Sequence, residues 1–338
     1  MAFAATPSTA PVLADSFNPL QYSGNGGTQS ITGVGFSPNF LWIKQINGSE
    51  QHYLYDTIRG SSKYLHSNLT SAEGTDATTR LTSFDSDGFS VASDGSVNGS
   101  GSNYISWNWK ANPLPTINTD GTIQSIVSAN QAAGFSIVSY TGTGSAGSAG
   151  HGLSATPDLV IIKNRESSTN WQTWYTGAGT VPASGINRLY LNDSQGNDNS
   201  TTNVYYPDAT KINFNSGDHF FNNTDDFIAY CFTSISGFSK IGTYTGNGST
   251  QSITGLGFQP DWLLIKQTNA SNSWRVFDSA RGLSAPQTLF ANLSNAEDSE
   301  SNTVSSFDSD GWTMGSQQGV NDNGDTYLYV AFKANLTP

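Results

Sequence analysis

The feature that most constrains this chain is that it repeats itself. Residues 29–38 return almost unchanged as residues 251–260, Leu41-Trp-Ile-Lys-Gln45 as Leu263-Leu-Ile-Lys-Gln267, and Tyr55-Asp-Thr-Ile-Arg-Gly60 as Phe277-Asp-Ser-Ala-Arg-Gly282. Further on, Ser83-Phe-Asp-Ser-Asp-Gly88 matches Ser306-Phe-Asp-Ser-Asp-Gly311, and the stretch from Tyr104 to Ala111 matches that from Tyr327 to Ala334. Order and spacing persist across a whole unit, so the two stretches are copies of one folding pattern. A third, diverged copy lies between them. Pro157-Asp-Leu-Val-Ile-Ile-Lys163 echoes Pro260-Asp-Trp-Leu-Leu-Ile-Lys266, and Asp226-Phe-Ile-Ala-Tyr-Cys-Phe232 takes the place of the closing strand. This middle copy lacks the Asp-x-x-Arg-Gly and Phe-Asp-Ser-Asp-Gly elements.

The reading is an N-terminal arm (1–17), a first unit (18–112), a linker with an extra strand around 121–128 (113–133), a diverged second unit (134–233) and a third unit (234–338). Within each unit, short runs rich in β-branched and aromatic residues alternate with turn signals, which predicts an all-β sandwich or barrel. The continuous apolar run after Pro38 or Pro260 predicts a strand in a sandwich core or buried on both faces. Phe84-Asp-Ser-Asp-Gly-Phe89 predicts a hairpin, with Gly88 free to take a positive φ. The one helical signal is a turn near 294–298.

Composition narrows the function classes. Only 12% of the 338 residues are charged and 12% are aromatic, with a net charge of −12. The 14 basic residues stand singly, so no nucleic-acid-binding patch forms. No apolar stretch is long enough for a membrane-spanning helix, and the first residues lack the basic segment of a secretory signal. Cys231 is the single cysteine, which excludes an internal disulfide and suits assembly in a reducing cytoplasm. Its apolar neighbours predict a buried core residue.

Candidate sites are few. The Asp-Ser-Asp-Gly turns and Asn321-Asp-Asn-Gly-Asp325 lack the full calcium-loop pattern and read as hairpin turns. The recurrent pairs Asp56 with Arg59 and Asp278 with Arg281 read as structural charge-assisted hydrogen bonds pinning a strand end, with a ligand clamp as the other reading. The four histidines have no metal-ligand or catalytic spacing. Trp171 and Trp174 in the middle copy, with Trp274-Arg275 in the third, are the candidates for a sugar-stacking surface. The expectation is a chain that is not an enzyme and takes no cofactor or metal. A polysaccharide-degrading enzyme is the remaining enzymatic alternative, because two carboxylates suffice for that chemistry.

Residues 35–44, Asp56-Thr-Ile-Arg-Gly60, Lys63-Tyr-Leu65, Phe84-Asp-Ser-Asp-Gly88, Trp107-Asn-Trp-Lys-Ala111, residues 119–142 and Gly150-His-Gly152 carry a family likeness. The sequence resembles a repeat family of virion proteins from marine and cyanobacterial phages, tail-fibre-like and built of concanavalin-type sandwich units. The resemblance implies three tandem jelly-roll units and a place in the virion, assembled in the host cytoplasm. It implies a tail fibre or other appendage contributing to host-surface (glycan) attachment, or a capsid- or tail-decorating adaptor without a ligand. Partners would be other virion proteins and host glycans. Exposed sheet edges predict a homo-oligomer, and the appendage analogy makes it a trimer. Residues 1–17 would be the docking arm.

Overall fold

A computed structural model describes residues 16–176, 186–200, 203–283 and 287–334. They form an almost entirely β structure of antiparallel sheets, as the β-branched and aromatic content predicts. One strand order recurs three times. In the first repeat a sheet runs Phe17–Ser23, Asn103–Trp109, Phe40–Gln45, Tyr53–Asp56. In the second, the core of an eight-stranded sheet runs Phe135–Thr141, Asp226–Phe232, Leu159–Asn164, Gln172–Tyr175. In the third it runs Ser239–Thr245, Thr326–Phe332, Trp262–Gln267, Arg275–Asp278, with Leu289–Phe290 added at the edge.

Each large sheet has a three-stranded companion, again in one order: Gln29–Thr32, Gly88–Val91, Leu81–Asp85; then Gly147–Gly150, Lys211–Phe214, Tyr205–Pro207; then Gln251–Thr254, Gly311–Met314, Val304–Asp308. The predicted hairpins are present as the Leu81–Asp85/Gly88–Val91 and Val304–Asp308/Gly311–Met314 pairs.

The continuous apolar run is now explained. Strand side chains alternate between faces, and both faces of Phe40–Gln45 are buried. Leu41 and Ile43 pack with Ile31, Phe89 and Val91 of the companion sheet. Phe40 and Trp42 point the other way, into one large core shared with the other two repeats. Trp262 and Leu264, and Leu159 and Ile161, enter that same core.

Two expectations need correction. Residues 294–298 form no helical turn, and Asp298 instead bridges to Thr288. The described helices are four-residue segments at matched places, Gly95–Asn98 and Gln318–Asn321. They are too short to show a 3.6-residue period. The linker holds two strands, Thr116–Asn118 and Ser125–Asn130, which form a hairpin on the edge of the second sheet. Of the arm, residues 1–15 lie outside the described residues, while Phe17 is fully buried in the shared core.

Candidate functional site

The three repeats meet by a cycle of equivalent contacts. Matched lysines and strands place His52, Trp171 and Trp274 at one position, and His66, Tyr190 and Phe290 at another. Trp171 of repeat two donates its indole N–H to the carbonyl of His66 in repeat one, at 2.8 Å. Trp274 of repeat three donates to the carbonyl of Tyr190 in repeat two, at 2.9 Å. His52 of repeat one closes the cycle: its Nε2 lies 2.9 Å from the carbonyl of Phe290 in repeat three. His52 Nδ1 accepts from the Trp42 indole at 2.7 Å, so Nε2 carries the proton and donates. Burial pushes the His52 pKa well down, as does nearby Lys44, which keeps this neutral form.

A second cycle uses backbone only. Glu73 N–H donates to Arg165 O, Asn197 N–H to Thr268 O, and Glu297 N–H to Ile46 O, at 2.8, 2.6 and 2.8 Å. A closed three-membered ring follows, because each repeat gives to one neighbour and receives from the other. At its centre Phe40, Trp42, Trp109, Tyr230, Phe232, Trp262 and Phe332 leave an apolar void of about 20 Å³, too small for a ligand.

The Asp-x-x-Arg pairs belong to this interface. Arg59 Nε donates to Asp56 at 2.5 Å, and Arg281 Nε to Asp278 at 2.7 Å, with all four side chains buried. Each aspartate ends its strand and caps the following turn through its other oxygen. Each also accepts from another repeat: Asp56 from the Tyr230 hydroxyl at 2.8 Å, and Asp278 from the Trp107 indole at 3.1 Å. The pairs therefore pin strand ends and also join repeats.

The four residues expected to stack sugars do not form a surface. Trp171 and Trp274 are fully buried and Trp174 is 8% exposed. Arg275 is buried and paired through two nitrogens with Glu300 at 2.8 Å. A stacking platform needs an exposed ring face, and Trp171 and Trp274 turn inward, where the repeat interface uses their area and their N–H. The Asp-Ser-Asp-Gly carboxylates are likewise occupied. Asp87 and Asp310 accept backbone N–H groups of Gly33 with Gly35 and of Gly255 with Gly257. Among the described residues no group of three His, Cys, Asp or Glu converges as a metal site would require. His151 is buried in its turn, bonded to Asp208 O and Leu153 N. Cys231 is buried, and its thiol is pushed up to about 12 by that burial.

Sequence reasoning missed three buried cations. Lys44, Lys163 and Lys266 end the matched apolar runs and are fully buried. Each ammonium donates to backbone carbonyls: Gln45 and Gly48, Asn164 and Ser167, Gln267 and Ser194. Burial lowers them to about 8, about 7 and about 7. A lysine three times at the end of an apolar strand was the available signal.

On the outside, the large exposed hydrophobic residues of the described chain are Leu114, Ile117 and Ile126, all in or beside the hairpin that only repeat two carries. A polar groove of about 580 Å³ runs beside it, past Asn112, Thr116 and Asn130.

No curated protein matches the chain. One family model does, over residues 13–335, a span that takes in all three repeats. The chain belongs to the family described as Domain of unknown function (DUF7483).

Proposed function

We propose that the chain is a non-enzymatic structural component of a phage particle, three jelly-roll-like units closed into one ring, serving in a tail fibre or other appendage and contributing to host-surface attachment. The observation that carries the structural half is the cycle formed by His52, Trp171 and Trp274. The groups best suited to chemistry are spent on structure: both Asp-Arg pairs join repeats, and the three buried lysines hold strand-end carbonyls, Lys266 reaching Ser194 of repeat two. The virion assignment rests on the resemblance of the repeat motifs to those of phage virion proteins. In this reading the threefold arrangement expected of three chains is met by three repeats of one chain, and a single copy suffices at a threefold position. Capsid or tail decoration is the second reading, favoured by the apolar patch of Leu114, Ile117 and Ile126, which suits contact with a neighbouring protein.

Cryo-electron microscopy of the intact particle tests both. A few copies at the tail with repeat-two loops outward is the expected result. Many copies over the capsid lattice would replace attachment by decoration, and absence from purified particles would overturn the assignment.

A further inference from the structure

The ring has three seams, and one differs from the others. At the seam between repeats one and two, Glu73 fills the space. Its carboxylate receives Arg165 at 2.9 and 3.0 Å and Arg59 at 3.3 Å. At the seam between repeats three and one, Glu297 stands in the matched place and receives Arg281 at 2.6 Å. At the seam between repeats two and three the matched residue is Asn197, and the preceding Gly196 has no side chain. A groove of about 420 Å³ opens there, between residues 195–197 and 268–271.

Its lining has no charged side chain and offers amides, hydroxyls and backbone. Asn197 is oriented by the Tyr175 hydroxyl, which donates to Oδ1 at 3.0 Å and leaves the amide nitrogen as a donor. Asn269 is held by Asp325 at 2.9 Å and by the Thr326 N–H at 3.1 Å. Gln195 and Ser271 are exposed. A Cβ at Gly196 would lie 2.9 Å from Thr268 O and 3.0 Å from Ala270 N, so only glycine allows the two segments to approach this closely. The groove is thus a built consequence of two substitutions in the diverged repeat.

We infer that this seam groove binds one or two residues of a neutral, polyhydroxylated ligand, that is, an uncharged sugar of a surface glycan. Amides and hydroxyls are the side chains that exchange hydrogen bonds with sugar hydroxyls in both directions. A volume of this size suits a small ligand. With no aromatic ring in the lining, single-site affinity is weak, and useful attachment comes from several copies acting together on a particle. The net charge of −12 disfavours anionic sugars.

The inference deepens the attachment reading and rests on it, but its test is separate. Saturation-transfer NMR on the full chain uses maltotriose, cellotriose and laminaritriose as neutral probes, with a galacturonic acid trimer as the anionic control. At least one neutral probe should receive saturation and the anionic one none. Ala270→Trp, at an exposed lining position, should reduce that signal about tenfold while leaving the melting temperature unchanged, and Gln195→Ala should weaken it severalfold. No signal from any neutral probe, or a signal that survives both substitutions, overturns the inference and leaves the structural role standing. Absence of the chain from particles would overturn the virion reading and leave a positive saturation-transfer result intact.

Discussion

The Tyr230 hydroxyl donates to Asp56 Oδ2 at 2.8 Å, joining residues 174 positions apart. The matched pair, Trp107 to Asp278, joins repeats one and three. At the third place both halves are absent together: Tyr175 stands where the aspartate would be and Val330 where its donor would be. Leaving a buried carboxylate without a donor, or a donor without an acceptor, is costly. The joint absence is what a physically closed ring demands of its three seams.

Removing one half of such a pair should therefore cost more than its exposed equivalent. Tyr230→Phe should destabilise by about 1–3 kcal/mol, because a buried charged acceptor loses a donor. Asp56→Ala should cost about 3–5 kcal/mol, because it takes the nearer carboxylate from the buried Arg59, which keeps Glu73 at 3.3 Å, and removes the acceptor of the Tyr230 hydroxyl. Urea melts of the two variants check the order, and a smaller loss for Asp56→Ala would contradict this account of the interface.

The hairpin turns make a sharper steric demand. Gly88 and Gly311 have φ of 146° and 155°, and an added Cβ would lie 2.0 Å from Ile31 O and 1.8 Å from Ile253 O. Relief requires moving apart the edge strand and the central strand of a companion sheet. Gly311→Ala should cost at least about 1–3 kcal/mol, the range for an imposed backbone strain. Gly33→Ala, also at positive φ but with open space around it, should cost less. Equal melting temperatures for the two variants would remove the steric explanation.

Much of the fold was legible in the chain because its signals are local. Proline-opened apolar runs, the Asp-Ser-Asp-Gly hairpins and the internal match announced strands and turns within a few residues of each other. The ring was not legible, because its contacts link residues such as His52 and Phe290, 238 positions apart. Trp171 and Trp274 illustrate the limit. An aromatic beside polar residues reads equally as a sugar platform or as core, and only the neighbouring repeat decides. The helices at Gly95–Asn98 and Gln318–Asn321 escaped because four residues cannot display a helical period. The seam groove was hidden in the same way: Asn197 matters only because Glu73 and Glu297 occupy the matched places.

A shared core implies shared unfolding. Phe17, Trp109, Phe232, Trp262 and Phe332 come from all three repeats and touch one another. Calorimetry should show a single transition, with calorimetric and van't Hoff enthalpies in agreement. Trp274→Phe, which keeps an aromatic side chain but leaves the Tyr190 carbonyl with the Asp193 N–H as its remaining donor, should shift that transition down as a whole by about 0.5–1.5 kcal/mol. Two resolved transitions would mean that the repeats unfold separately.

The buried lysines and His52 give stability a definite pH dependence. A base whose folded pKa is depressed binds fewer protons folded than unfolded, so stability rises with pH between the two values. For Lys163 and Lys266 that window opens at about 7, and for Lys44 at about 8. For His52 the unfolded chain takes up a proton below its ordinary value of 6.5, and stability falls as the solution becomes more acid. Acids act oppositely at the alkaline end. Burial raises Cys231 to about 12, and raises the buried Tyr22, Tyr55 and Tyr230 well above 10.0, so unfolding is favoured once their unfolded forms ionise. The melting temperature should climb from about pH 5 to about pH 9 and then turn down. Replacing all three lysines by methionine should flatten the rise between about pH 7 and pH 9 while leaving the acid limb in place. Methionine fills the stem's volume, and the carbonyls at the strand ends lose their donors, so a net destabilisation at pH 9 should accompany the flattening. A pH 7–9 slope that survives the triple substitution would mean that the lysines are not the groups that titrate.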